Sequence, residues 1–179
     1  MLLTEEEMIR LWLLRKGYEP LRSDCRIERS DGADLEAIAR QECRLWMEQL
    51  LAEGDPSLLV LHDVAKESSP DLSISSASAI VVRLPDSCVR PIAVKLQSWL
   101  SPATIVKPDS PLARRQFVPF AAGGVANPVA IYHPNRRLEL FSPAYENSDI
   151  LEYLLCVMRV TDVEGIPLYE FQPRALATL

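Results

Sequence analysis

The sequence predicts an α+β fold, with N-terminal helices packed beside an antiparallel β-sandwich or small β-barrel. Residues 79–143 break into short apolar runs separated by Pro, Gly, Asp and Asn, which is the punctuation of antiparallel β architecture. Residues 1–56 instead hold two stretches with apolar side chains at helical spacing, each opening on a capping residue and ending at a glycine. Fourteen prolines stand beside six glycines, which implies fixed bends rather than flexible linkers, because Pro locks φ where Gly frees it. The expected organisation is a helical region over 1–56, a β-rich module over 57–162, and a tail over 163–179 that docks on the core or on a neighbour.

In chain order, Thr4 and Glu7 form a capping box, Met8, Leu11 and Trp12 follow at helical spacing, and Gly17 ends the helix. Residues 18–33 read as a polar loop or short arm. Asp34 caps a second helix that runs to about Glu53 and stops at Gly54, with Leu35, Ile38, Ala39, Leu45, Trp46 and Leu50 near one side. These apolar faces need cover, from each other, from the β module or from a neighbouring subunit. Leu58–Val64 favours a strand over a helix, and the Ser-rich stretch 66–78 reads as a mobile loop or an excursion beyond the core.

Strands are expected at Ala79–Leu84, Val89–Gln97 and Ala103–Lys107, with Leu84-Pro85-Asp86 turning the chain between the first two. Ser110-Pro111 starts a short helix that Pro119 ends. A hairpin joins Val129–His133 to Arg137–Phe141 across Pro134-Asn135-Arg136, Ile150–Val160 is a buried strand, and Asp162–Gly165 is a turn. The tail then carries Tyr169, Phe171 and Leu176, enough apolar surface to dock on something.

A formal charge of −6 and a pI near 5 argue against a general nucleic-acid binder, which carries a basic excess. No apolar run approaches the roughly 20 residues of a membrane helix, and the acidic start is unlike a signal peptide, so a cytosolic place of synthesis is expected. Cys25, Cys43, Cys88 and Cys156 are scattered without a CxxC pair, which predicts free, mostly buried thiols.

No motif for catalysis, cofactor or metal appears. His62 and His133 are the only histidines; Asp63 beside His62 would point to the opposite face of a strand. Gly123-Gly124 lacks the spacing of a phosphate-binding loop and reads as a turn. The pairs Arg114-Arg115 and Arg136-Arg137 are either solvated, or contact nucleic acid, or meet acidic patches on a neighbouring subunit, and the acidic balance favours the subunit contact of the last two. Trp12 and Trp46 suit a core, whereas Trp99, at a strand end beside Pro102, suits core or interface alike.

The stretch VVRLPDSCVRPIAVKLQSW resembles a segment of head-to-tail adaptor or connector proteins of short-tailed bacteriophages. There a strand ends at Leu-Pro-Asp and the chain returns through an arginine, here Arg90. Asn127-Pro128-Val129-Ala130-Ile131-Tyr132 and Arg137-Leu138-Glu139-Leu140-Phe141-Ser142-Pro143 take the places of the hairpin that follows. The order of Trp99, Asp109-Ser110-Pro111-Leu112-Ala113 and Asn127-Pro128 is similar to the virion ring proteins of crAss-like phages of gut Bacteroidales. The resemblance covers roughly residues 80–160 and departs at Ser87-Cys88, where a large apolar residue is usual.

The resemblance implies a virion protein that forms a closed homo-oligomeric ring beneath the portal, extends the DNA channel and docks the tail. Its partners would be further copies of itself, the portal and other connector or tail proteins, with passive contact to DNA and assembly in the bacterial host cytoplasm. It implies no enzyme activity and no cofactor. Trp99, Arg114, Arg115, Tyr169 and Phe171 are the expected interface residues. The alternatives are a monomeric β domain binding a small ligand or peptide, a histidine-dependent hydrolase and a DNA-binding module.

Overall fold

A computed structural model describes residues 1–17, 34–67, 72–74, 79–118, 120–142 and 149–179. The fold is α+β, and the chain divides into two units. Unit 1 comprises Met1–Val60 and Arg159–Leu179, and unit 2 comprises Leu61–Met158. The C-terminal tail is thus part of the same unit as the N-terminal helices, and the β-rich unit is narrower than the span 57–162 expected for it.

Unit 1 opens with a two-residue strand, β1 (Leu2–Leu3), and helix α1 (Glu5–Arg15). The capping box forms: the Glu7 amide donates to Thr4 Oγ1 at 3.3 Å, and the Thr4 amide donates to Glu7 Oε2 at 2.8 Å. The Thr4 amide, and the Thr4 hydroxyl that donates to Glu7 Oε2 at 3.0 Å, hold the Glu7 carboxyl below its usual range. Gly17, with φ +79, sits just past the end of α1 in the left-handed region where glycine carries no Cβ penalty. Helix α2 (Leu35–Glu53) starts on Asp34, whose carboxylate accepts from the amides of Glu36 and Ala37, and ends at Gly54.

Met8, Ile9 and Trp12 of α1 are buried, as are Leu35, Ala39, Cys43, Met47, Leu50 and Leu51 of α2. The buried stripe of α2 therefore steps by fours through Cys43 and Met47. It leaves Leu45, expected near the apolar side, 56% exposed. Between the helices, Trp12 Nε1 donates to Glu42 at 3.1 Å, and Glu5 accepts from Arg40 at 3.0 Å and Arg44 at 2.6 Å.

The Leu58–Val64 strand does not form as expected. Asp55 accepts from the Ser57 amide and Pro56 occupies the first helical position, so Pro56–Leu58 folds as a 3-10 turn. Only His62–Asp63 is strand, β2, and Val64–Glu67 forms the short helix α3.

Unit 2 holds two sheets. The remaining strands of the unit are β3 (Leu72–Ile74), β4 (Ile80–Arg83), β5 (Cys88–Leu96), β6 (Thr104–Val106), β7 (Val129–His133), β8 (Arg137–Leu140) and β9 (Leu151–Met158), with helix α4 (Pro111–Arg115) between β6 and β7. One sheet has the order β2-β9-β5 and the other β3-β4-β8-β7-β6. A single cluster draws Val94, Leu96, Leu154 and Cys156 from the first sheet and Ile80, Val82, Ala130, Leu138 and Leu140 from the second. Two sheets closing on one core is a sandwich. It is not wholly antiparallel, however: β6 runs parallel to β7, because the 107–128 connection is long enough to cross over.

The Leu84-Pro85-Asp86 turn, closed by the Cys88 amide on the Pro85 carbonyl at 3.0 Å, leads from β4 in one sheet to β5 in the other. It is a corner between sheets, not a hairpin. Among the described residues strand β5 pairs only with β9, through three register irregularities, and so accepts Pro91, whose missing N–H an edge or bulged strand tolerates. Within the Ser-rich stretch, Leu72–Ile74 pairs with β4; residues 68–71 and 75–78, like the polar loop at 18–33 and Cys25, lie outside the described residues.

Strand β9 fills Ile150–Val160 nearly as read from the sequence. After it, β10 (Val160–Thr161) and β11 (Pro167–Glu170) flank the Asp162–Gly165 turn. In unit 1, β11 lies between β1 and β10. The main chains of Met1 and Phe171 exchange hydrogen bonds of 2.8 and 3.0 Å, and a 3-10 segment over Pro173–Thr178 completes the tail.

Candidate interaction surface

The five residues expected at an interface separate into two groups. Trp99, Tyr169 and Phe171 are 2%, 4% and 0% exposed. Trp99 lies in the sandwich core and donates from Nε1 to the Ser142 carbonyl at 3.0 Å. Phe171 meets Trp46 edge-on at 5.2 Å, and Trp46 Nε1 donates to Thr178 Oγ1 at 3.2 Å. The Tyr169 phenol is pushed up to about 12, by burial first and then by Glu5 and Cys43. These aromatics serve the cores of their own units, because each large ring gains most by leaving water completely. They lie in the cores and not at the interface expected of them.

Arg114 and Arg115 are exposed. They lie on the crossover between the parallel strands β6 and β7. Along β7 and β8 the side chains alternate between two faces. Ala130, Leu138 and Leu140 point to the sandwich core. On the opposite face Ile131 joins Ala79, Phe141, Val106 and Ala113 of α4 in a small second cluster. Ser110 starts α4 by accepting from the Ala113 amide at 3.1 Å, and this cap seats Ala113 against the sheet.

Beyond α4, Gln116 holds the loop at both ends: its Nε2 donates to the Leu112 carbonyl and its Oε1 accepts from the Gly123 amide, each at 3.0 Å. A Cβ on Gly123 would stand 2.5 Å from the Asn127 carbonyl oxygen, so only glycine permits this approach. Ser142 Oγ also donates to the Gly123 carbonyl. Leu100 and Ser101 bind the returning limb through the carbonyls of Val125 and Ala126, at 2.9 Å each. Phe117 packs edge-on against Phe141 at 5.4 Å.

The inner side of the crossover is therefore fixed, while its outer side carries apolar surface into water. Phe117 is 60% exposed, Val118 51%, and Phe120 completely exposed, and Leu100, on the loop before β6, is 77% exposed. Phe120 also has φ +63, a conformation that costs a non-glycine residue about 1–2 kcal/mol. An exposed apolar group of this kind, edged with charge, marks an interaction site. The signal was present in Arg114-Arg115-Gln116-Phe117-Val118, but an apolar run that short does not say which way it faces.

The other basic pair is used internally. Arg136 Nη2 meets Asp86 Oδ1 at 2.8 Å, and Arg137 meets Glu139, whose other oxygen is 3.2 Å from His133 Nε2. The hairpin tip is thereby tied to the Leu84-Pro85-Asp86 corner. Arg114 and Arg115 have no carboxylate partner among the described residues. His62 lies 3.4 Å from Glu67, while Asp63 accepts from the Leu154 amide and pairs with Lys66. Cys43, Cys88 and Cys156 are free and buried. Among the described residues no three His, Cys, Asp or Glu converge as metal ligands, and no helix is long and apolar enough to cross a membrane.

Charge divides sharply between the units. Unit 1 has ten Lys and Arg against sixteen Asp and Glu and so carries the whole net charge of −6; unit 2 has nine of each. No protein-family model matches the chain, and no curated protein matches it.

Proposed function

We propose that the chain is a structural ring subunit of a phage head-to-tail connector, placed below the portal, where it extends the DNA channel and docks the tail. The observation that carries this reading is the crossover between β6 and β7. It is anchored on its inner side and presents Phe117, Val118, Phe120, Arg114 and Arg115 outward, as an assembly surface does. The segments with the family resemblance support the same reading. The Leu84-Pro85-Asp86 corner and the 129–140 hairpin are joined through Arg136 and Asp86, so they act as one rigid structural piece. A net charge of −6 suits a conduit that must not grip phosphates.

The test is co-sedimentation with assembled portals of short-tailed phages. The reading expects the folded chain to travel with a portal at a fixed ratio. A folded chain that stays at the top of the gradient with every portal offered would overturn it.

A further inference from the structure

A closed ring needs a heterologous contact, in which two different faces of each subunit match. The crossover surface supplies one face. Its complement must be acidic and apolar, and unit 1 presents such a surface at the turn between β10 and β11. There Val163 is completely exposed and Ile166 is 49% exposed. Glu164 lies between them, exposed and without a cationic partner among the described residues.

The turn is built rigidly. Asp162 Oδ1 accepts from the amides of Glu164 and Ile166 at 2.9 and 2.7 Å. The Gly165 amide closes on the Asp162 carbonyl at 3.1 Å, with Gly165 at φ +81. A tip held this way keeps two apolar side chains in water at little entropic cost on docking. Its charge is opposite to that of Arg114-Arg115, and each surface pairs exposed apolar groups with a charge that has no opposite partner among the described residues.

We propose that the 162–166 tip of one copy docks on the crossover surface of the next, with Val163 and Ile166 against Phe117 and Phe120, and Glu164 facing Arg114 and Arg115. The contact is head-to-tail, so every copy uses both faces. This inference rests on the ring reading for its closure, but not for the pairing itself.

Charge reversal tests the pairing, read by sedimentation velocity over a concentration series. R114E/R115E and E164R are made separately on the full chain; all three positions are exposed, and circular dichroism checks the folds. Each variant alone should weaken self-association at least about tenfold, because like charges then face each other. Mixed in equal amounts, the two variants should recover association, since each reversed surface now meets its opposite in an alternating array. Association that stays at the wild-type level in both reversal variants, or reversals that mixing does not rescue, would overturn the pairing and leave the ring reading intact. A chain that remains monomeric at every concentration, both alone and with a portal, would also overturn the pairing. Rescue on mixing that yields only open chains and no portal binding would support the pairing and sink the ring reading.

Discussion

The two units reach a buried core by different routes. Unit 2 is one continuous segment, 61–158, whose two sheets share a single core. Unit 1 is discontinuous: its helices come from the first 60 residues, and its sheet is completed by β11 from the tail. Unit 1 closes through contacts between its two segments, such as Met1 with Phe171, Leu58 with Gln172, and Ser57 with Arg174. Stability in unit 1 therefore depends on a few contacts between residues far apart in sequence, whereas in unit 2 it is spread across adjoining strands.

The largest effect should come from Phe171, which is completely buried and meets Trp46. Phe171→Ala should cost about 3–5 kcal/mol, seen as faster amide exchange over 1–17, 34–60 and 159–179. Leu154→Ala, at a fully buried position of the sandwich, should cost about 2–5 kcal/mol and give the opposite map, concentrated over 80–96 and 129–158. Equal acceleration of both units by either variant would erase the distinction between them.

A smaller effect sharpens the account of unit 1. Removing the Asp34 cap by Asp34→Ala should cost about 1 kcal/mol, with increased exchange limited to the first turns of α2. Loss of protection along the whole helix would show that capping, more than the Cys43–Met47 stripe, holds α2 in place.

The smallest effect concerns pH. Burial pushes the Asp63 carboxyl up, but the Leu154 amide and Lys66 more than offset it, and the group titrates below its ordinary range. A depressed carboxyl adds stability above the unfolded pKa and loses it as pH falls through the folded one. The advantage of the wild type over Asp63→Asn in urea melts should hold constant above about pH 5 and shrink below about pH 4. An advantage that grows in acid would contradict the assignment.

Local chemistry made much of this legible in advance. Thr4 with Glu7, Asp34, Gly17 and Ser110-Pro111 mark helix ends through bonds to neighbouring residues, and the 129–140 hairpin follows from its turn. Contacts between distant residues were not legible. Whether Leu45 or Cys43 faces inward on α2 depends on what covers the helix. The parallel pairing of β6 with β7 depends on where a 22-residue connection returns the chain. Trp99, Tyr169 and Phe171 look alike as core and as interface until their neighbours are placed. Phe120 and Val163 lie in turn-rich segments where apolar residues follow no period, so nothing in the sequence marks them as bare.

The most direct test of the assembly account is negative-stain imaging with light scattering of the purified chain, alone and mixed with a portal. The account predicts closed rings of uniform diameter, formed alone or templated on the portal. A monodisperse monomer under both conditions would contradict it.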